Sequence, residues 1–251
     1  MPAGISIKDL NFSFNPGQQV LKNINLEINP GEKFGIIGPM GAGKSTLLLH
    51  LNGILNGSGT IQIGDTIVSK KTLPEIRKKV GIVFQNPDDQ LFNPTVEEDV
   101  AFGPLNFGYS REEVSEMVDY ALESMNLKGF EKLVSHHLSM GERKRVALAT
   151  VLATKPDVIG FDEPFSSLDP TMIKQLLNIL NNLESTLVII SQNYLPLIAC
   201  CQRVALINKG EIKAVGPTKE IIQNSDLMLE NGIDLSLYKS ICNDFFHSPK
   251  N

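Results

Sequence analysis

"KFGIIGPMGAGKSTLLLHL", residues 33–51, is the stretch on which the fold class turns. The apolar run Phe34–Ile37 reads as a short buried strand, and the leucines after Thr46 read as a helix. Between them "GPMGAGKST" (38–46) fits G-x-x-x-x-G-K-[ST], in the strand-then-helix setting that this motif requires. Gly38, Gly41 and Gly43 let the backbone curl so that its N–H groups face phosphate oxygens, and Pro39, Met40, Ala42 and Thr46 take part through their main chain. Lys44 supplies a point charge toward the β- and γ-phosphates, and Ser45 a hydroxyl for Mg²⁺. A glycine-rich turn ahead of an ordinary helix is the plainer alternative. The complete Gly-Lys-Ser-Thr ending speaks against it.

Outward from this loop, short apolar segments recur at "KVGIVFQ" (79–85), "DVIGFDE" (157–163) and "TLVIISQ" (186–192). Buried strands alternating with helices predict a parallel α/β sheet. The first 30 residues differ: "GISIKDLNFSF", a turn at "NPGQQ" and "VLKNINLEI" alternate in the manner of antiparallel strands. Between Gln85 and Asp157 the pattern turns helical, with Ser110 and Glu113 spaced as a capping box. The expected organisation is therefore an ATP-binding α/β core with an antiparallel β subdomain (1–87 and 156–217), an inserted helical subdomain (88–155), and a C-terminal helical extension (218–251) preceded by a hairpin, "RVALINKG" with "EIKAVG".

Two further stretches carry chemistry. In "DVIGFDEP", Asp162 ends an apolar strand, the place for a carboxylate that holds Mg²⁺ through water, and Glu163 beside it is able to orient or deprotonate an attacking water. Alone, a strand ending in Asp-Glu reads as a solvated strand end; beside a phosphate loop it is the expected partner. In "HLSMGERKRVALA" (137–149), Ser139 and Glu142 have capping-box spacing. Either Ser139 only caps its own helix, or that helix end also meets an anion.

Composition narrows the rest. The chain has 251 residues, 42% hydrophobic and 20% charged, enough for a sizeable core without staples. Its net charge of −5 offers no basic field for nucleic acid. Three cysteines, two of them adjacent (Cys200, Cys201), make no disulfide framework and, with no leader-like segment, suggest a reducing interior. The apolar runs 146–153 and 186–190 are too short to span a membrane, so a membrane role is expected to be peripheral. His136-His137 lacks a third ligand nearby and reads as a helix-flanking loop. The basic runs 77–79 and 142–145 read as solvated helix faces, and Met117 and Met125 as packing.

At this point the chain resembles the ATP-binding cassette (ABC) ATPases over nearly its whole length. Leu138-Ser139-Met140-Gly141-Glu142 stands where that family has "LSGGQ" or "LSGGE". The resemblance implies that Ser139, Gly141 and Glu142 complete a site on a second subunit, two ATPs being sandwiched head to tail. It implies that Gln85 of "VFQNP" reaches Mg²⁺ with Ser45 and Asp162, that Asp169 of "SSLDP" lies near the dimer seam, and that Phe14 of "FSF" stacks on adenine. A narrower likeness follows in "FQNPDDQLFNPTVEEDVAFGPLNFG" (84–108), where Asp88-Asp89-Gln90 is similar to the ATPases of energy-coupling factor transporters, importers of cobalt, nickel or vitamins.

Three positions depart from the family. Met40 stands in place of an asparagine, and Met140 in place of the first signature glycine. In "IISQNYLPL" (189–197), Gln192 replaces the switch histidine. Gln192 still donates a hydrogen bond but carries no positive charge. What the resemblance implies is Mg-ATP hydrolysis by Glu163, Lys44 and Gln192, slowed by that substitution, powering uptake through a transmembrane coupling subunit and a substrate-binding membrane subunit from the cytoplasmic face. A heterodimer with a second ABC ATPase is favoured over a homodimer, because it places the Gln192 and Met140 departures at different sites. Two alternatives stand beside this: an ATP-dependent clamp with little hydrolysis, and a DNA-maintenance ATPase, which the compact chain and its acidic balance disfavour.

Overall fold

The alternation in the first 30 residues becomes a hairpin of β1 (Ile5–Asn15) and β2 (Gln18–Ile28) in the computed structural model, which describes residues 1–236. Ile5, Ile7 and Leu10 of β1 and Leu21, Ile24, Leu26 and Ile28 of β2 point into the core. β1 also pairs antiparallel with β4 (Ser58–Ile63), which pairs with β5 (Thr66–Ile67), giving the sheet order β2-β1-β4-β5.

The second sheet has the order β10-β9-β3-β8-β7-β6, built from β3 (Lys33–Ile37), β6 (Val80–Val83), β7 (Val158–Asp162), β8 (Thr186–Ile190), β9 (Arg203–Asn208) and β10 (Glu211–Pro217). All its neighbours are parallel except β9 with β10, the hairpin expected at the tail. Its five parallel strands are largely buried on both faces, whereas β10 is half exposed, and alternate residues of the parallel strands serve different cores. Ile36, Ile82, Val188 and Ile190 join the first sheet and α1 (Lys44–Leu51). Ile37, Val83, Phe161 and Ile189 join the helices opposite. A period of two thus assigns each strand to two layers.

Those helices are α3 (Val96–Asn106), α4 (Arg111–Ser124), α5 (Met140–Leu152), α6 (Pro170–Asn182) and α7 (Tyr194–Cys200); α2 (Leu73–Lys79) leads into β6. Each of α3, α4 and α5 opens on a complete capping box, Thr95 with Glu98, Ser110 with Glu113, and Ser139 with Glu142. The two short helices α8 (Thr218–Gln223) and α9 (Ser225–Glu230) return the chain to the core, where Met228, Ile233 and Leu235 are buried. The rest of the expected C-terminal extension, 237–251, lies outside the described residues. Cys200 and Cys201 are free and buried, with Cys201 just past the end of α7.

The basic run 142–145 is not a solvated face, contrary to the expectation from charge. Lys144 is buried, and Arg143 pairs with Asp88 at 2.6 Å. The reason is the face it occupies: Gly141, Lys144, Leu148 and Val151 form one buried stripe of α5. Asp88 is therefore a tether and not merely a solvating loop residue. Gln90 makes a second tie, its amide donating to the Ala147 carbonyl and the Thr150 hydroxyl at 2.7 Å each.

Candidate nucleotide-binding site

Parallel pairing brings the chemistry-bearing ends of three strands level. Ile190 pairs with Ile36 of β3 on one side and with Asp162 of β7 on the other. The segments that follow β3, β7 and β8 therefore converge at the carboxyl edge of the sheet, the usual place for a ligand in such folds. A cleft of about 340 Å³ opens there, lined by Met40, Gly41, Ala42, Gly43, Lys44, Ser45, Thr46, Gln85, Asp162, Glu163 and Gln192, together with Val20 and Ile190.

The loop before α1 has the backbone its glycines predict. Gly38 sits at φ +153, where a Cβ would lie 2.1 Å from the Ile207 carbonyl oxygen, so no side chain fits. Gly43 caps α1 in a left-handed conformation, and among the described residues no side chain caps that helix end. Its first-turn N–H groups are thus left for an anion. Lys44 is nearly buried, and its ammonium donates to the carbonyls of Gly38 and Pro39 at 2.9 Å each.

Burial dominates the electrostatics of the cleft. It lowers the Lys44 pKa, opposed by the charges of Glu163 and Asp162. It raises that of Asp162 against the Ser45 hydroxyl and the Lys44 charge. It raises that of Glu163 too, against the Gln192 N–H and Lys44. Glu163 Oε2 accepts the main-chain N–H of Gln192 at 3.0 Å. Glu163 Oε1 and Asp162 Oδ1 are buried with no hydrogen-bond partner among the described residues. Two unpartnered carboxylate oxygens beside a serine hydroxyl and the Gln85 side chain fit a hard cation that keeps several waters.

The remaining predicted residues lie elsewhere in this chain. Ser139, Gly141 and Glu142 line a separate groove of about 150 Å³ with Leu168, Met172 and Gln175. Ser139 caps its own helix, its hydroxyl accepting the Glu142 N–H at 3.4 Å and donating to Glu142 Oε2 at 2.7 Å, and it is exposed. Asp169 caps α6 by accepting the Met172 N–H at 2.9 Å. Phe14 is 58% exposed on β1 and stands edge-on to Phe12, outside the cleft lining. Val20 and Ile190 line the cleft without any sequence signal, and the burial of Lys144 runs against the solvated face that its charge suggested.

Known proteins share this fold. The pattern of the ABC transporter family matches residues 21–166. The energy-coupling factor transporter ATP-binding protein EcfA of Methanothermobacter thermautotrophicus is 46% identical over 230 residues, which is 89% of this chain and 74% of that one. The structure of cbiO1 from Clostridium perfringens, part of the ABC transporter complex cbiONQ, superposes with a TM-score of 0.82 at 31% identity, covering 97% of this chain and 98% of the other. An ATP-binding cassette solved as a dimer in a post-hydrolysis state with ADP and phosphate gives a TM-score of 0.76 at 26% identity, over 85% and 98% of the two chains. The phosphate loop, the paired carboxylates and the α/β frame that holds them make this chain a member of the ABC transporter family, on its ATP-binding side and similar to the energy-coupling factor ATPases.

Proposed function

We propose that this chain is the ATP-hydrolysing subunit of an energy-coupling factor importer for a metal ion (cobalt or nickel) or a vitamin, docked at the cytoplasmic face on a transmembrane coupling subunit and a substrate-binding membrane subunit. The observation that carries the hydrolytic part is the cleft where Lys44, Ser45, Gln85, Asp162, Glu163 and Gln192 meet. The likeness to EcfA and to cbiO1 supports the transporter class. Among the described residues no helix is long and apolar enough to cross a membrane, so the pathway belongs to partners.

In this reading 1–87 with 156–217 form the ATP-binding core, 88–155 the signature lobe, and 218–251 an extension. The first-turn N–H groups of α1 and the Lys44 ammonium hold the β- and γ-phosphates. Ser45, Gln85 and Asp162 hold Mg²⁺, which when bound neutralises charge on the phosphates. Glu163, held by the Gln192 N–H, takes the proton of the attacking water. The Gln192 amide contacts the γ-phosphate, and Phe14 stacks on adenine. Ser139, Gly141 and Glu142 close the ATP site of the opposite subunit, with Asp169 at the seam.

Met140 and Gln192 favour a heterodimer, since self-pairing places both departures at every site and slows turnover. Light scattering of the Glu163→Gln chain with Mg-ATP tests this. The expected result is weak self-association, with a stable pair formed only with a second ABC ATPase. A tight homodimer contradicts it.

A further inference from the structure

Lys144 lies on α5 five residues beyond Ser139, and its side chain runs into the protein where only 9% of the residue stays exposed. Its ammonium donates to the main-chain carbonyls of Glu163 (3.3 Å), Pro164 (3.0 Å) and Ser166 (2.8 Å), and contacts the Ser166 hydroxyl at 3.0 Å. An ammonium has three donors, and four oxygens surround this one. A methionine would fill similar space without desolvating a charge, so the contribution particular to lysine is its directional grip on those carbonyls.

The gripped segment is strained. Glu163 has φ +48 and Ser167 φ +58, a region that non-glycine residues avoid unless their surroundings hold them there. The Ser166 hydroxyl donates to the Glu163 carbonyl at 2.9 Å, tightening the same turn. One turn earlier, Gly141 lets α5 approach α6 so closely that a Cβ there would lie 2.7 Å from Met172 Sδ. Met172 is in turn held by Asp169. The start of α5 is thus keyed to residues 163–172 at two points one turn apart.

We propose that Lys144 is a positioning residue for hydrolysis: it holds the main chain of Glu163–Ser166 in the turn that aims the Glu163 carboxylate into the cleft, and it joins that turn to the signature helix. The inference rests on the proposed role of Glu163. Several contacts then set this residue: the Gln192 N–H on its carboxylate, the Ile190 carbonyl on its own N–H, and the Lys144 ammonium together with the Ser166 hydroxyl on its carbonyl. Because Ser139 on the same helix faces the opposite subunit's ATP, engagement of that ATP moves the base of this chain's own site. Lys144 is the link through which the two sites sense each other.

Phosphate release, ATP affinity and amide hydrogen exchange are measured for the wild-type chain, Lys144→Met and Lys144→Arg. In Lys144→Met we expect kcat to fall about 10²-fold, as misplacement of a reacting group by an ångström does, with ATP affinity changed less than about threefold. Amides of 163–168 should exchange at least about tenfold faster, and those of α1 at the wild-type rate. Lys144→Arg, which keeps charge and donors, recovers part of both effects and serves as the second variant where methionine prevents folding. A kcat within about twofold of wild type, or unchanged exchange at 163–168, overturns the proposal. Should the wild-type chain release no phosphate even at concentrations where it self-associates, the hydrolytic reading fails, while the exchange result still decides whether Lys144 holds the turn.

Discussion

The main-chain N–H of Gln192 donates to Oε2 of Glu163 at 3.0 Å. Any residue but proline supplies that bond, so replacing the family's histidine leaves the orientation of the carboxylate intact. What glutamine does not supply is a charged donor in the cleft that its side chain lines. Orientation of the base and stabilisation of γ-phosphate charge are therefore separable at this one position.

Gln192→His should raise kcat by roughly tenfold or more, and Gln192→Ala should lower it, because both keep the N–H that seats Glu163 and differ in what reaches the phosphate. Steady-state phosphate release at saturating ATP reads this out. Equal rates for all three chains would remove Gln192 from the chemistry.

Gly38→Ala should be severe. The new methyl would meet the Ile207 carbonyl at 2.1 Å, backbone that cannot step aside. A loss of about 3 kcal/mol in urea unfolding is expected, with ATP binding abolished in whatever still folds. Wild-type stability in this variant would mean that the phosphate loop does not rest on β9 as described.

Lys144 ties stability to pH. Burial lowers its pKa to about 8, with the Glu163 charge opposing. The folded state thus binds this proton less readily than the unfolded chain. Below pH 8 both states are protonated, and the folded state bears the full cost of the buried charge. As pH rises from about 8 toward about 10, the folded state sheds it first, and stability relative to Lys144→Met should grow by up to about 3 kcal/mol. Parallel unfolding curves of the two chains across that window would contradict it.

The two ties between the loop after β6 and α5 should differ in strength. Asp88 and Arg143 form a partly exposed ion pair, so Asp88→Ala costs about 1 kcal/mol or less. Gln90 also accepts the Phe84 N–H at 3.1 Å while donating twice to α5, so Gln90→Ala should cost about 2 kcal/mol. Urea unfolding of both variants checks the order.

The phosphate loop was legible in the sequence because it is local: glycine spacing, a strand before and a helix after state the backbone geometry outright. The capping boxes at Ser110 and Ser139 were legible for the same reason, since residues three apart satisfy each other's N–H groups. The Asp162-Glu163 strand end, which alone reads as solvated, became legible only beside that loop. Lys144 was misread because charge alone suggests solvent, while the acceptors that allow its burial come from Glu163 to Ser166, 19 to 22 residues away. The bond from Gln192 to Glu163 was hidden in the same way: it depends on β7 and β8 pairing in one register.

The most direct measurement is Mg-dependent phosphate release from ATP by the purified chain beside its Glu163→Gln variant, with ATP binding recorded for both. The account predicts measurable turnover in the wild-type chain, a loss of about 10²-fold or more in the variant, and ATP binding retained. Equal release by both chains, or no release by the wild-type chain at concentrations where it self-associates, would contradict it.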